Sequence, residues 1–124
     1  MIVKSYRDLI VWQKSLDSVD LIYDVTESFP SKEVYGLTNQ LRRAGVSIPS
    51  NIAEGHARQS TPEFIRFLSI ARGSLAEVET QLIIANRRHY LQSDKLDNMM
   101  LLSDEISRML VSLMNKLREK GAKD

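Results

Sequence analysis

Phe64, Leu68, Ala71, Leu75, Val78, Leu82 and Ala85 recur in an unbroken alternation of four and three residues. That spacing lays one apolar stripe along an α-helix and lets it cross a second helix at about 20°. A strand, whose side chains alternate with period two, cannot gather them on one face. Leu96, Met99, Ser103, Ile106, Leu110, Leu113 and Leu117 repeat the device. Near the start of the chain Leu9, Trp12, Leu16, Val19, Tyr23 and Thr26, with Ile22 beside them, take the same steps, and Leu37, Leu41, Ala44, Ile48, Ile52 and Gly55 make a fourth stripe. Amphipathic helices joined by short turns run alternately up and down. The expected fold is therefore an all-α, antiparallel up-down-up-down four-helix bundle, left-handed, forming a single domain over residues 1–124, with helices at about 6–28, 32–56, 61–89 and 94–119.

Turn chemistry supports those limits. Ser5-Tyr6-Arg7-Asp8 has a hydroxyl followed three residues later by a carboxylate, the pattern of a capping box, and Ser60-Thr61-Pro62-Glu63 adds a proline in the first turn. Phe29-Pro30 closes the first helix, because the residue before proline avoids the helical region; Ser31 and Ser93 are positioned to cap the second and fourth. Within the second stripe sits Pro49, which removes a backbone donor and presses on the carbonyl of Gly45, four residues back, at roughly 3 kcal/mol. A continuous helix is expected to kink there, with Gly45 giving way and Asn51, on the apolar face, buried and hydrogen-bonded.

Short strings along the chain resemble a known family. Asp8-Leu9-Ile10-Val11-Trp12-Gln13-Lys14, Phe29-Pro30, Tyr35-Gly36-Leu37, Gln40-Leu41-Arg42-Arg43, Ser47-Ile48-Pro49-Ser50-Asn51-Ile52-Ala53-Glu54-Gly55 and Ala71-Arg72-Gly73-Ser74-Leu75-Ala76-Glu77-Val78-Glu79-Thr80-Gln81-Leu82 are similar to the four-helix-bundle proteins encoded in intervening sequences of bacterial 23S ribosomal RNA genes, and to their free-standing relatives. The likeness spans about the first three helices, with Gly45 standing where the family pattern has alanine. It implies an up-down bundle that assembles as a homopentameric, barrel-like ring. It implies no settled activity; nucleic-acid binding is the usual suggestion, partly by similarity to the basic barrel proteins that accompany diversity-generating reverse transcriptases.

Composition narrows the chemistry. The chain has no cysteine, so disulfides, thiol nucleophiles and thiolate metal sites are out of reach, as befits a reducing compartment. No apolar run approaches the ~20 residues that span a bilayer, and Met1-Ile2-Val3-Lys4 opens no signal-peptide core, so a cytoplasmic protein of bacterial type is expected, with no membrane partner. His56 follows a helix-ending glycine and His89 continues the third stripe, so both are expected to be structural or solvent-facing rather than ligands or bases. Phosphate-cradling glycine loops, His-Glu-x-x-His and Glu-x-x-His pairs are missing, and so no catalytic residue, metal, cofactor or small-molecule substrate is expected.

Charge placement points elsewhere. An up-down bundle brings Lys4, Arg7, Arg58, Arg66, Lys116, Arg118, Lys120 and Lys123 to one pole with Asp8, Glu54, Glu63, Glu119 and Asp124, eight cations against five anions, or +3 in a chain of net +1. A ring would multiply that polarity into a face that attracts phosphate backbones, making RNA or DNA the expected partner. Leu21 and Val25 point away from the first stripe and suggest a subunit contact. Arg42 and Arg43 have two readings, as phosphate contacts or as ion-pair partners of Glu54 or Glu77 on a neighbouring helix or subunit; nearby carboxylates favour the second. The alternative function is an adaptor that holds another protein on the apolar patch or in the ring lumen.

Overall fold

The stripe that anchors the sequence pattern is buried along its whole length. In the computed structural model, which describes residues 4–123 and side chains as far as Gly121, it belongs to a helix at Thr61–Arg87. Four α-helices account for the fold: α1 (Ile10–Thr26), α2 (Leu37–Ala57), α3 (Thr61–Arg87) and α4 (Ser93–Lys123), with no strand among the described residues. Met1 to Val3 and Asp124, the last assigned above to the basic pole, lie outside the described residues, as does the side chain of Lys123.

Cross-contacts give the course of each neighbouring pair. Glu79 of α3 accepts from Ser103 Oγ of α4 at 2.6 Å, while Asn86 reaches Ser93 at 3.1 Å and Thr61 lies beside Gly121. Between α2 and α3, Gly55 sits against Phe64 and Phe67, and Ser47 shares a 2.8 Å hydrogen bond with Ser74. Ile22 and Thr26 of α1 meet Gly45 and Arg42 of α2, and Lys14 bonds Glu105 of α4 at 3.0 Å. Residue numbers run in opposite senses across each of the first three pairs. Burying each large aliphatic side chain in the shared core contributes about 1.5–3 kcal/mol.

α2 continues unbroken through Pro49, with Leu41, Ala44, Ile48, Ile52 and Gly55 buried as its stripe predicts. Asn51 is half-buried rather than buried as expected, and its Nδ2 donates to the Ser47 carbonyl at 2.7 Å and to Ser47 Oγ at 2.9 Å. A Cβ on Gly45 would lie 2.6 Å from Ile22 Cδ1, which ties this glycine to the close approach of α1.

Three sequence expectations need correction. Helix α1 is rotated roughly a quarter-turn from its predicted face: Val11, Ser15, Ser18, Ile22, Val25 and Thr26 are buried, while Leu16 and Tyr23 are exposed. Two serines lie on the packed side because small residues permit close approach, and Ser15 Oγ is satisfied by the Trp12 carbonyl of its own helix. Val25 therefore belongs to the core at 8% exposure, leaving Leu21, at 37%, without the patch expected around it. The first two helices also start late. Ser5 caps a 3-10 turn at Tyr6–Asp8, after which Leu9 is extended; Ser31–Glu33 is a second such turn, and Glu33, not Ser31, caps α2 by accepting from Leu37 N at 3.2 Å. Finally, His89 lies beyond α3 in the left-handed region at φ 64°, where Tyr90 N bonds Ala85 O at 2.9 Å and closes the helix end.

Candidate nucleic-acid interface

The cations assigned to one pole from the sequence, Lys123 apart, are exposed, and their neighbours sort them into two groups. Arg58 and Arg66 are engaged. Arg58 pairs with Glu54 at 3.1 Å and Arg66 with Glu63 at 2.8 Å, and both guanidinium groups lie over the ring of Phe67, at 5.1 and 4.6 Å from its centre. The bond from Arg66 holds the Glu63 carboxyl below its ordinary value of 4.5 and raises Arg66 in turn. This cluster is balanced in charge, so it contributes little net attraction for phosphate.

Lys4, Arg7, Lys116, Arg118 and Lys120 form no ion pair among the described residues. Arg7 lies 5.6 Å over the ring of Tyr6, and Arg118 donates to Asn115 Oδ1 at 3.3 Å. Lys116 sits with Arg108 beside the start of α1. Lys4 and Lys120 come together with His56 and Thr61 around one pocket of about 340 Å³ at the junction of the chain start, the α2–α3 turn and the end of α4. His56 packs edge-on against Phe64, ring centres 5.7 Å apart. Nothing local in the sequence marks His56 as a pocket residue, because its neighbours Lys4 and Lys120 are remote in the chain.

The proposed subunit-contact residues do not converge. Arg42 is pinned within its own chain, donating from Nε to Thr26 Oγ1 at 2.8 Å and stacking 4.6 Å over Tyr23. Arg43 stays exposed in an open depression with Tyr23, Asn39, Arg42, Val46 and Ser47, and has no carboxylate partner among the described residues. Glu54 is taken by Arg58, and Glu77 meets Gln81 Nε2 at 3.5 Å. Apolar side chains are exposed elsewhere: Val46 on α2, Ile70, Ile83 and Ile84 on α3 and Leu101 on α4 all face outward. Their signal was present, since none falls on a seam position.

Comparison with known proteins rests on the same framework of helices. The sequence profile of the 23S rRNA-intervening sequence protein family matches residues 7–112. The chain belongs to that family. Among solved structures it is similar to a protein of unknown function from the S23 ribosomal protein family of Bacteroides thetaiotaomicron VPI-5482, with 28% identity, a TM-score of 0.78, and coverage of 85% of this chain and 98% of the other. No curated protein matches it. The profile takes in α1, α2, α3 and most of α4; of the pole residues it includes Arg7, Arg58 and Arg66, while Lys4, Lys116, Arg118 and Lys120 lie outside it.

Proposed function

We propose that this member of the family is a non-enzymatic subunit of a homopentameric ring that binds RNA or DNA through its basic pole. The observation that carries the reading is the set of five exposed cations at that pole, Lys4, Arg7, Lys116, Arg118 and Lys120, which have no carboxylate partner among the described residues. Repetition around a ring concentrates such charge into one face, and phosphate contacts of this kind position a strand without reading its sequence. Assembly is supported by the outward apolar residues of α2 and α3, Val46, Ile70 and Ile84, each about 40% exposed in a single chain. Binding should be indifferent to sequence and fall steeply with salt as counterions are released. Filter binding of mixed-sequence RNA and DNA across a salt series tests this, with light scattering for the subunit number; no retention at the lowest salt removes the nucleic-acid reading. The same apolar residues support a second reading, an adaptor that holds another protein. That reading requires a purified ring with a clean protein absorbance spectrum, whereas the first requires copurifying nucleic acid.

A further inference from the structure

The pocket at the pole is better suited to an end than to the middle of a strand. Two cationic residues, Lys4 and Lys120, border it together with His56 and Thr61, and the edges of the buried Phe64 and Leu117 close its inner side. Among the described residues no carboxylate lines it. Glu54 and Glu63, on the helices that flank the turn, are directed elsewhere, Glu54 to Arg58 and Glu63 to Arg66. The opening of α3 also faces this region, since Ser60 caps the helix and Thr61 is its first residue, and a helix start favours anions.

From this geometry we infer that the pocket bordered by Lys4, His56, Thr61 and Lys120 binds a terminal phosphate monoester. Its volume, about 340 Å³, falls at the small end of ligand sites, which hold about 300–1,000 Å³. A phosphodiester within a strand has chain on both sides and a single negative charge, so it cannot be inserted into a recess and offers only half of what two ammonium groups can neutralise. A monoester carries about −1.5 to −2 near neutral pH and has one free side. The inference rests on the nucleic-acid reading for its biological source, though the pocket chemistry is shared by a strand end and a free mononucleotide.

Fluorescence anisotropy with one short single strand, prepared with a 5′-phosphate, a 3′-phosphate or hydroxyls at both ends, separates the two levels. A phosphorylated end should bind at least about tenfold more tightly than the hydroxyl-ended strand, as expected for charge-assisted hydrogen bonds. The Lys4→Ala/Lys120→Ala variant should erase that difference, while Arg118→Ala, outside the pocket, should weaken all three strands alike. Competition by adenosine monophosphate identifies a free nucleotide as an adequate ligand. Equal binding of the three strands overturns the inference while leaving the basic-pole reading intact. Should no strand bind at any ionic strength, the basic-pole reading fails, and calorimetric titration with adenosine monophosphate decides the pocket: binding lost in the double-lysine variant upholds it, and no binding overturns it. All the substituted side chains are exposed, and circular dichroism verifies that each variant is folded.

Discussion

Replacing Gly55 by alanine probes how closely α2 and α3 approach beneath the basic pole. A Cβ at that position would stand 2.6 Å from Phe67 Cβ, 3.1 Å from Phe64 Cδ1 and 3.4 Å from the Phe64 carbonyl oxygen. Carbon atoms rest at about 3.5–4.0 Å, and Phe67 Cβ moves only with the backbone that carries it, so the two helices must part by about 1 Å. Overpacking of this kind costs about 1–3 kcal/mol, and the severity of the overlap favours the upper part of that range; alanine returns about 1 kcal/mol of helix propensity. A net loss of about 2 kcal/mol is expected. Gly73, also inside a helix, provides the control, because a Cβ there meets nothing within 4 Å. Gly73→Ala should gain about 1 kcal/mol, putting about 3 kcal/mol, or about 10 °C in Tm, between the two variants. Gly45→Ala should fall between them, since the obstructing Ile22 Cδ1 is the tip of a side chain that can turn away. Calorimetry at one fixed protein concentration reads these shifts, because assembly is coupled to stability. A Gly55→Ala protein melting at or above the parent temperature refutes the reasoning.

Three smaller outcomes follow from individual side chains. His89→Gly should raise stability by about 1 kcal/mol, measured by urea titration, because φ 64° strains any residue with a Cβ. The Oε1 of Gln81 is buried without a hydrogen-bond partner, so Gln81→Met should stabilise by about 1 kcal/mol, and a loss of stability would count against an unsatisfied acceptor. Glu63 is held below its ordinary value of 4.5 chiefly by its bond to Arg66; that contribution is present above the ordinary value and disappears as pH falls through the lowered one. Comparing Glu63→Gln with the parent by urea titration should show a difference near neutrality that closes in acid.

The seams of α2 and α3 were legible in the sequence because their apolar positions keep a helical spacing from end to end, which the outward Val46, Ile70, Ile83 and Ile84 do not. Phe64 to Ala85 could face only inward, and the helix type, number and order follow from such periodicity. On α1 the sequence offered a larger apolar face containing Trp12, Leu16 and Tyr23, and the fold chose the one with Ser15 and Ser18. That choice depends on how near Gly45 lets α1 come to α2, a property of two helices together. Boundaries shifted for a related reason, since Glu33 caps α2 while also accepting from Tyr90, 57 positions away.

Local pattern thus determined that this chain is a set of four amphipathic helices with a surplus of cations at their matching ends. Which cations are already neutralised, Arg58 and Arg66, and which converge on a recess, Lys4 and Lys120, was decided only when the ends of the chain met at the turn between α2 and α3. Hydrophobic spacing is written into a single helix, whereas the electrostatic environment of a side chain depends on whatever the rest of the chain brings within a few ångströms of it.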